Sequence, residues 1–179
     1  MTDVPSWMRA CVFRKYGPRD NPTTELGVED IAKPVPKKDE VLVKVKAASV
    51  HKGDCHLVTG TPFLIRLVFG GIFRPAIKTP GTDTAGIIES KGKDVTKFEV
   101  GDAVLCDLTP TNFKGFAEYA VAKESAIARK PSKLSFDEAS TIPTSGCTAL
   151  MALEETGKLE KGKKVRPSKV YLVAVHVNG

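Results

Sequence analysis

Long apolar runs, paired cysteines and glycine-rich phosphate loops are all missing from this 179-residue sequence, and each absence excludes a class of protein. The longest mostly apolar stretch, residues 62–77, contains Arg66 and Arg74 and is too short to span a bilayer. The four cysteines lie far apart, at Cys11, Cys55, Cys106 and Cys147. Because they form no Cys-x-x-Cys pair, they exclude a disulfide framework and a four-cysteine zinc site, and they suit a reducing compartment. No Gly-x-x-x-x-Gly-Lys-(Ser/Thr) phosphate loop and no Gly-x-Gly-x-x-Gly after a strand occurs, so the usual nucleotide fingerprints are missing.

The composition indicates an ordinary globular chain with enough apolar material for a core. Hydrophobic residues make up 41% of the sequence and charged residues 27%. No basic-then-apolar leader is visible at the N-terminus, so we expect no secretion signal and a cytoplasmic location.

The positive charge is concentrated near the end of the chain. Of the formal net charge of +6, residues 158–169 supply +5, from six basic residues and Glu160. A nucleic-acid-binding face usually interleaves basic residues with aromatic ones, and this run contains no aromatic residue. We therefore interpret the run as a solvated linker rather than a polyanion site, and we expect no nucleic-acid partner.

Short alternating segments predict a β-rich region over the first 130 residues. The clearest segment is residues 39–50, where Val41, Val43 and Val45 point to one face. Further strand candidates, bounded by turn-forming residues, lie at residues 8–13, 26–31, 84–90, 102–108 and 116–122. This order predicts a small all-β barrel or sandwich.

Helix signals begin at Ser135, where the pattern changes. Residues 135–138, Ser-Phe-Asp-Glu, match a capping box and predict a short helix. Thr144 or Ser145 is expected to cap a second helix that continues to Thr156. A final strand-like segment covers residues 170–177.

One cluster of reactive side chains follows the best strand, at His51, Asp54, Cys55 and His56. These residue types suit acid–base chemistry or metal ligation. Zinc is disfavoured because the adjacent Cys55 and His56 diverge, and the only other histidine is His176. The alternative is that Asp54 caps a short helix while the imidazoles lie on the surface or line a pocket. Residue types alone favour this structural role.

Seven short motifs occur in a fixed order over residues 8–165. They are Met8-Arg9-Ala10, Pro34-Val35-Pro36 with residues 40–45, Ala48-Ser49-Val50 with Gly53-Asp54, residues 80–86, residues 95–98 with 101–104, residues 115–119, and Pro143 with Thr148-Ala149-Leu150. No single motif is specific, but taken in this order they resemble the zinc-free quinone oxidoreductase (zeta-crystallin-like) branch of the medium-chain dehydrogenase/reductase superfamily.

The resemblance implies a mainly β fold with C-terminal helices. Residues 1–130 would form an incomplete, partly open GroES-like β-barrel, and residues 131–165 a helical connector toward a Rossmann domain that binds NADPH. The implied reaction is hydride transfer from NADPH to a quinone or an α,β-unsaturated carbonyl. Assembly into a homo-oligomer is left as an open alternative. NADPH supplies the hydride, so the protein's task is positioning and stabilisation of the developing oxyanion or enolate.

The resemblance also implies roles for individual residues. His51 and Asp54 would be catalytic, and His51 with Thr148 would contact the cofactor near the nicotinamide. Cys55 and His56 fall at substrate-pocket positions. Zinc-dependent relatives place Cys at the position of His51 and Gly-His-Glu at residues 81–83, so the resemblance implies no metal.

The resemblance stops after Val165, where residues 166–179 form a divergent tail in place of a Rossmann domain. This pattern predicts a chain truncated before that domain, as a splice variant, a retained-intron product or a gene-model error. We then expect weak NADPH binding and poor stability, with an unpaired strand at residues 170–177 and an exposed apolar helix face at residues 145–156. The function is a reductase activity of the parent enzyme, with this chain inactive alone. The alternative is a non-catalytic GroES-like module that acts by pairing with a full-length subunit.

Overall fold

Two β-sheets and four short helices organise the computed structural model of the chain, which describes residues 6–69, 71–153 and 173–176. The strands are β1 (Trp7–Phe13), β2 (Leu26–Ala32), β3 (Glu40–Val50), β4 (Asp83–Lys91), β5 (Ala103–Asp107), β6 (Tyr119–Lys123), β7 (Ile127–Arg129) and β8 (Val173–His176). The helices are α1 (Lys52–Thr59), α2 (Leu64–Val68), α3 (Phe136–Ser140) and α4 (Pro143–Met151). Within the described residues the strands do not close into a barrel, which agrees with the predicted mainly β, partly open architecture.

The larger sheet is built around β3, the strand with the clearest alternating pattern. One edge of β3 pairs with β4 along most of its length, and the sheet continues through β5 to β7. The other edge pairs first with β6, over Glu40–Lys44, and then with β8, over Ala47–Val50. All these pairings are antiparallel, so the end of β3 lies beside the start of β4.

The main hydrophobic core covers one face of this sheet. Val41, Val43 and Val45 of β3 are almost completely buried, as their period-2 spacing predicts. They pack with residues from β4, β5 and β6 and from the loops before and after β5, namely Ile88, Val95, Phe98, Val104, Cys106, Leu108, Ala120 and Ala122.

The smaller sheet, β1 with β2, lies against the larger one. Met8, Ala10 and Val12 form the buried face of β1 and pack on Ala117. Backbone hydrogen bonds join β1 to the segments before β6 and before β4. The amide of Cys11 donates to Phe116 O at 2.8 Å, and the amide of Phe13 donates to Lys78 O at 2.8 Å. The segment before β6 is therefore fixed between the two sheets.

The helical region confirms one capping prediction and corrects another. Ser135 and Glu138 form the predicted capping box at the start of α3. The second helix, α4, begins at Pro143, and the predicted caps Thr144 and Ser145 lie inside it. Pro143 suits the first helical turn because that turn needs no backbone donor from it. The predicted end of this helix at Thr156 lies outside the described residues.

The prediction of an unpaired strand at residues 170–177 is wrong for the part that the structure describes. Residues 173–176 form β8, which adds to the free edge of β3 beyond the end of β6. The predicted exposure of an apolar helix face is confirmed in α4, where Leu150 and Met151 are more than half exposed. Among the described residues, no helix is long and apolar enough to cross a membrane.

Candidate active site

The candidate site lies where β3 ends and β4 begins. Ser49 pairs with Asp83 across the two antiparallel strands, and His51 follows two residues after Ser49. The register therefore brings His51 and Asp83, which are distant in sequence, to the same end of the sheet. Burial raises the pKa of Asp83, and an electrostatic interaction with His51 acts in the opposite direction, which places the two side chains within electrostatic reach.

His51 caps helix α1 with its own side chain. The imidazole Nδ1 accepts a hydrogen bond from the amide of Gly53 at 2.9 Å, and the amide of His51 donates to Asp54 Oδ2 at 3.0 Å. Because Nδ1 is the acceptor, the proton of the neutral imidazole resides on Nε2. His51 therefore presents an N–H donor away from the helix.

Gly53 gives the imidazole the room that this cap requires. A β-carbon on Gly53 would lie 2.5 Å from His51 Cε1 and 2.8 Å from Nδ1, well inside van der Waals contact. The ring therefore sits directly over the Gly53 backbone, a position that a larger residue would block.

Asp54 holds α1 against the loop before β4. Its Oδ1 accepts from the amide of Gly81 at 3.1 Å and from the Thr82 hydroxyl at 3.4 Å, while Oδ2 accepts from His51. Burial raises the pKa of this carboxyl. The three hydrogen bonds and an electrostatic interaction with His51 act in the opposite direction. With both oxygens engaged, Asp54 positions the elements around it. The structural reading of Asp54 as part of a helix cap is confirmed.

Asp83 anchors α4 to the sheet through one carboxylate oxygen. Oδ1 accepts from the amide of Thr144 at 3.1 Å and from its hydroxyl at 2.6 Å, at the first turn of α4. Burial raises the pKa of Asp83 to about 6. The hydrogen bonds from Thr144 and an electrostatic interaction with His51 act in the opposite direction.

Two polar atoms of this site, one on His51 and one on Asp83, are buried without a hydrogen bond. These atoms are His51 Nε2 and Asp83 Oδ2, and no other group in the described part of the chain pairs with them. Buried polar atoms are normally satisfied, because an unmade hydrogen bond costs about 1–3 kcal/mol. The site thus offers one donor and one carboxylate oxygen to a bound molecule.

The side chains of the other predicted site residues form no hydrogen bond to His51, Asp54 or Asp83 in the described part of the chain. Cys55 is exposed and His56 half-buried on α1, beyond the His51 cap. Thr148 is exposed on α4, one turn after Thr144 and on the same helical face. Within the described ranges, no group of three or more His, Cys, Asp or Glu side chains is arranged to hold a metal ion.

Asp83 and Thr144 are the site residues that the sequence analysis did not single out. Thr144 was considered only as a helix cap, and Asp83 only as part of residues 81–83. The signal available in the sequence was Asp83 itself, a lone acidic residue at the start of an apolar strand. Acidic side chains are rarely buried without a partner, so this position indicates a paired or functional carboxylate.

The fold and this site define a class of protein. Residues 37–132 match the model of the alcohol dehydrogenase GroES-like domain, and the chain belongs to that family. These residues include β3, the cap at His51 and Asp54, and Asp83.

Among curated proteins, the chain is similar to quinone oxidoreductases and to a 2-methylene-furan-3-one reductase. It is 34% identical over 137 residues to the quinone oxidoreductase of Sus scrofa, covering 76% of this chain and 38% of the relative. It is 32% identical over 168 residues to the 2-methylene-furan-3-one reductase of Solanum lycopersicum, covering 90% of this chain and 40% of the relative. The chain thus spans about two fifths of the length of these relatives.

A solved structure shows the same likeness. The quinone oxidoreductase from Coxiella burnetii matches with a TM-score of 0.73 and 31% identity, covering 87% of this chain and 47% of that structure.

Proposed function

We propose that this chain forms the nicotinamide-facing and substrate-facing part of a zinc-independent, NADPH-dependent reductase of quinones or α,β-unsaturated carbonyls. One observation carries the proposal: the unpartnered pair His51 Nε2 and Asp83 Oδ2 at the junction of β3 and β4. The printed activities of the similar proteins support the reaction class.

The unpartnered atoms fit a primary carboxamide, such as that of the nicotinamide ring. A carboxamide offers one oxygen acceptor and one N–H₂ donor, which complement the His51 N–H and the Asp83 carboxylate. When bound, NADPH supplies the hydride. Thr148, on the same face of α4 as Thr144, would extend this contact surface along the ring.

The chain's own residues position the reacting groups and exclude water. His51 would orient the ring through Nε2, and Asp54 would hold that imidazole and the loop at Gly81 in place. Correct orientation accounts for much of the rate in hydride transfer, since small misplacements cost about 100-fold. Cys55 and His56 would line the substrate side, where His56 can donate to the oxygen that gains negative charge.

The test uses a cofactor fragment that depends only on the nicotinamide end. Reduced nicotinamide mononucleotide and an ortho-quinone are mixed with the chain, and the loss of absorbance at 340 nm is followed. We expect turnover above the uncatalysed rate, reduced by about 100-fold in His51→Ala. His51→Asn keeps an acceptor for Gly53 and a free N–H donor, so it should retain most of the rate. Val35→Ser, on another exposed surface, serves as the control.

The inactivity expected from the sequence follows from weak NADPH binding, whereas the mononucleotide depends only on the nicotinamide end. Absence of turnover from the folded chain at millimolar fragment would therefore refute this function. That result would favour the non-catalytic module that pairs with another subunit. Equal rates for wild type and His51→Ala would refute the role of His51 even if turnover occurs.

A further inference from the structure

A cluster of exposed apolar side chains surrounds helix α2, away from the His51–Asp83 site. We call residues 62–74 the α2 segment. None of the residues of α2 is buried, and Phe73 beyond it is 92% exposed. The large apolar residues of this segment that are more than two-fifths exposed are Phe63, Leu64, Leu67, Val68, Ile72 and Phe73. Contiguous apolar surface of this kind marks an interaction site.

The α2 segment offers almost nothing for hydrogen bonding. Between Pro62 and Ile77 the only polar side chains are Arg66 and Arg74. Arg66 is already engaged, because its Nε donates to Gly60 O at 3.0 Å and its guanidinium lies 4.3 Å from the centre of the Tyr16 ring. A protein interface normally carries about one hydrogen bond per 100–200 Å². Lipid tails require none, so this composition favours a lipid surface.

The charge around the segment is positive. No acidic residue occurs between Asp54 and Asp83, whereas Arg74 and Lys78 are both exposed. A second copy of the chain docked symmetrically on this face would bring these cations against their own equivalents. The charge therefore disfavours self-association and complements an anionic surface.

A groove of about 710 Å³ adjoins the segment at Val68 and adds to this positive surface. Its lining includes Lys78 and Lys114, both exposed, and no described residue forms an ion pair with either lysine. Arg14 also lines the groove but is paired with Glu29, Nη2 to Oε2 at 2.5 Å. Lys78 also lies within electrostatic reach of Glu29, which is already paired with Arg14. Two ammonium groups without an ion pair beside an apolar surface match the headgroup and acyl regions of an acidic phospholipid.

We propose that the α2 segment docks on anionic lipid bilayers, with its apolar side chains in the interfacial layer and Arg74, Lys78 and Lys114 on lipid phosphates. This is peripheral binding, and it is independent of the proposed reductase function.

The test measures co-sedimentation of the full chain with phosphatidylcholine vesicles that contain or lack 30% phosphatidylglycerol. We expect binding to the anionic vesicles, with the double variant Leu67→Ser, Phe73→Ser weakening the affinity about tenfold or more. Val28→Ser with Val35→Ser removes two exposed apolar residues elsewhere and should leave binding unchanged. Lys78→Gln and Lys114→Gln should each weaken binding about fivefold, unlike Lys93→Gln at an exposed site elsewhere.

The basic run at residues 158–169 provides a competing cause of vesicle binding, and a fluorescent reporter separates the two. In a Trp7→Phe background, Phe73→Trp places the only indole of the chain in the α2 segment. We expect a blue shift on anionic vesicles and quenching by lipids brominated along the acyl chain. Binding without that shift, or binding that survives Leu67→Ser with Phe73→Ser and disappears when the run is neutralised, would overturn the proposal. So would the absence of binding to anionic vesicles, which would leave an acidic protein as the partner suited to this surface.

Discussion

At the scale of single residues, the site depends on polar groups whose burial changes their chemistry. Asp83 is 1% exposed, and only one of its two carboxylate oxygens is hydrogen-bonded within the described residues. His51 has its Nδ1 committed to the helix cap and its Nε2 left over. Each residue therefore keeps one buried polar atom, His51 Nε2 and Asp83 Oδ2, that a bound ligand could hydrogen-bond.

Asp83 should make the chain less stable as the pH rises. Its folded-state pKa of about 6 is above the ordinary value of 3.8, so the unfolded state ionises first. Stability is therefore lost between about pH 4 and 6, by on the order of 2–3 kcal/mol. Asp83→Asn should remove this loss, so the variant gains stability relative to wild type as the pH is raised to 7. Urea unfolding at pH 4.5 and 7 measures the difference.

The control for this prediction is Asp94→Asn, at an exposed carboxylate. The same change from carboxylate to amide is measured there at the same two pH values. A stability difference between Asp83→Asn and wild type that is constant with pH would contradict the raised pKa of Asp83.

The four thiols should react at different rates with a disulfide reagent such as 5,5′-dithiobis(2-nitrobenzoate). Cys55 and Cys147 are exposed, so they should react quickly. Cys106 lies in the core, and its burial raises the pKa of the thiol to about 12, so it should react only after unfolding. Rapid reaction of all four thiols in the native chain would show that the core around Cys106 is open.

At the scale of secondary structure, the candidate site is a junction between elements. The end of β3, the cap of α1, the start of β4 and the first turn of α4 meet through Asp54 and Asp83. The helices contribute through their first turns, α1 through its cap at His51 and α4 through the amide and hydroxyl of Thr144.

Gly53→Ala should reduce activity although it leaves every proposed catalytic residue in place. The added methyl group would occupy the position of the His51 ring, so the imidazole must rotate and lose the bond from the Gly53 amide. We expect a fall in turnover with reduced nicotinamide mononucleotide that approaches the fall in His51→Ala. Gly27→Ala, where an added β-carbon meets nothing, is the matched control. Unchanged turnover in Gly53→Ala would show that the imidazole's position is irrelevant.

The sequence predicted elements with strong local signals and missed those that depend on distant contacts. The alternating valines of β3 and the capping box at Ser135 were read correctly because each signal lies within a few residues. Helix α2 was missed because it buries no residue and so shows no amphipathic period. The pairing of β8 with β3 joins segments more than 120 residues apart, which local patterns do not specify.

The same contrast holds for the site. The link between His51 and Asp54 was visible as a short-range cap, whereas the link from Asp83 to Thr144 spans 61 residues. The catalytic, cofactor and substrate roles of His51, Asp54, Thr148, Cys55 and His56 stay predictions. Distance in sequence, rather than residue type, limited what could be foreseen.

At the scale of the whole molecule, a GroES-like β domain presents two separate surfaces. One is the polar junction of His51 and Asp83, and the other is the apolar and cationic α2 segment. The chain spans about two fifths of its curated relatives, and the printed activities of those relatives concern their full length. The central claim therefore concerns the nicotinamide end of the cofactor, which the chain's own residues would contact.

The most direct test is an NMR titration that follows the Nε2–H signal of His51 in the ¹⁵N-histidine-labelled chain, assigned with His51→Asn. Reduced nicotinamide mononucleotide and NADPH should both shift this signal, and adenosine 2′,5′-bisphosphate, the opposite end of NADPH, should leave it unchanged. Nδ1 should stay unprotonated throughout, because it accepts from Gly53. No shift at millimolar mononucleotide, or a shift caused by the adenosine fragment alone, would contradict the assignment of this junction to the nicotinamide.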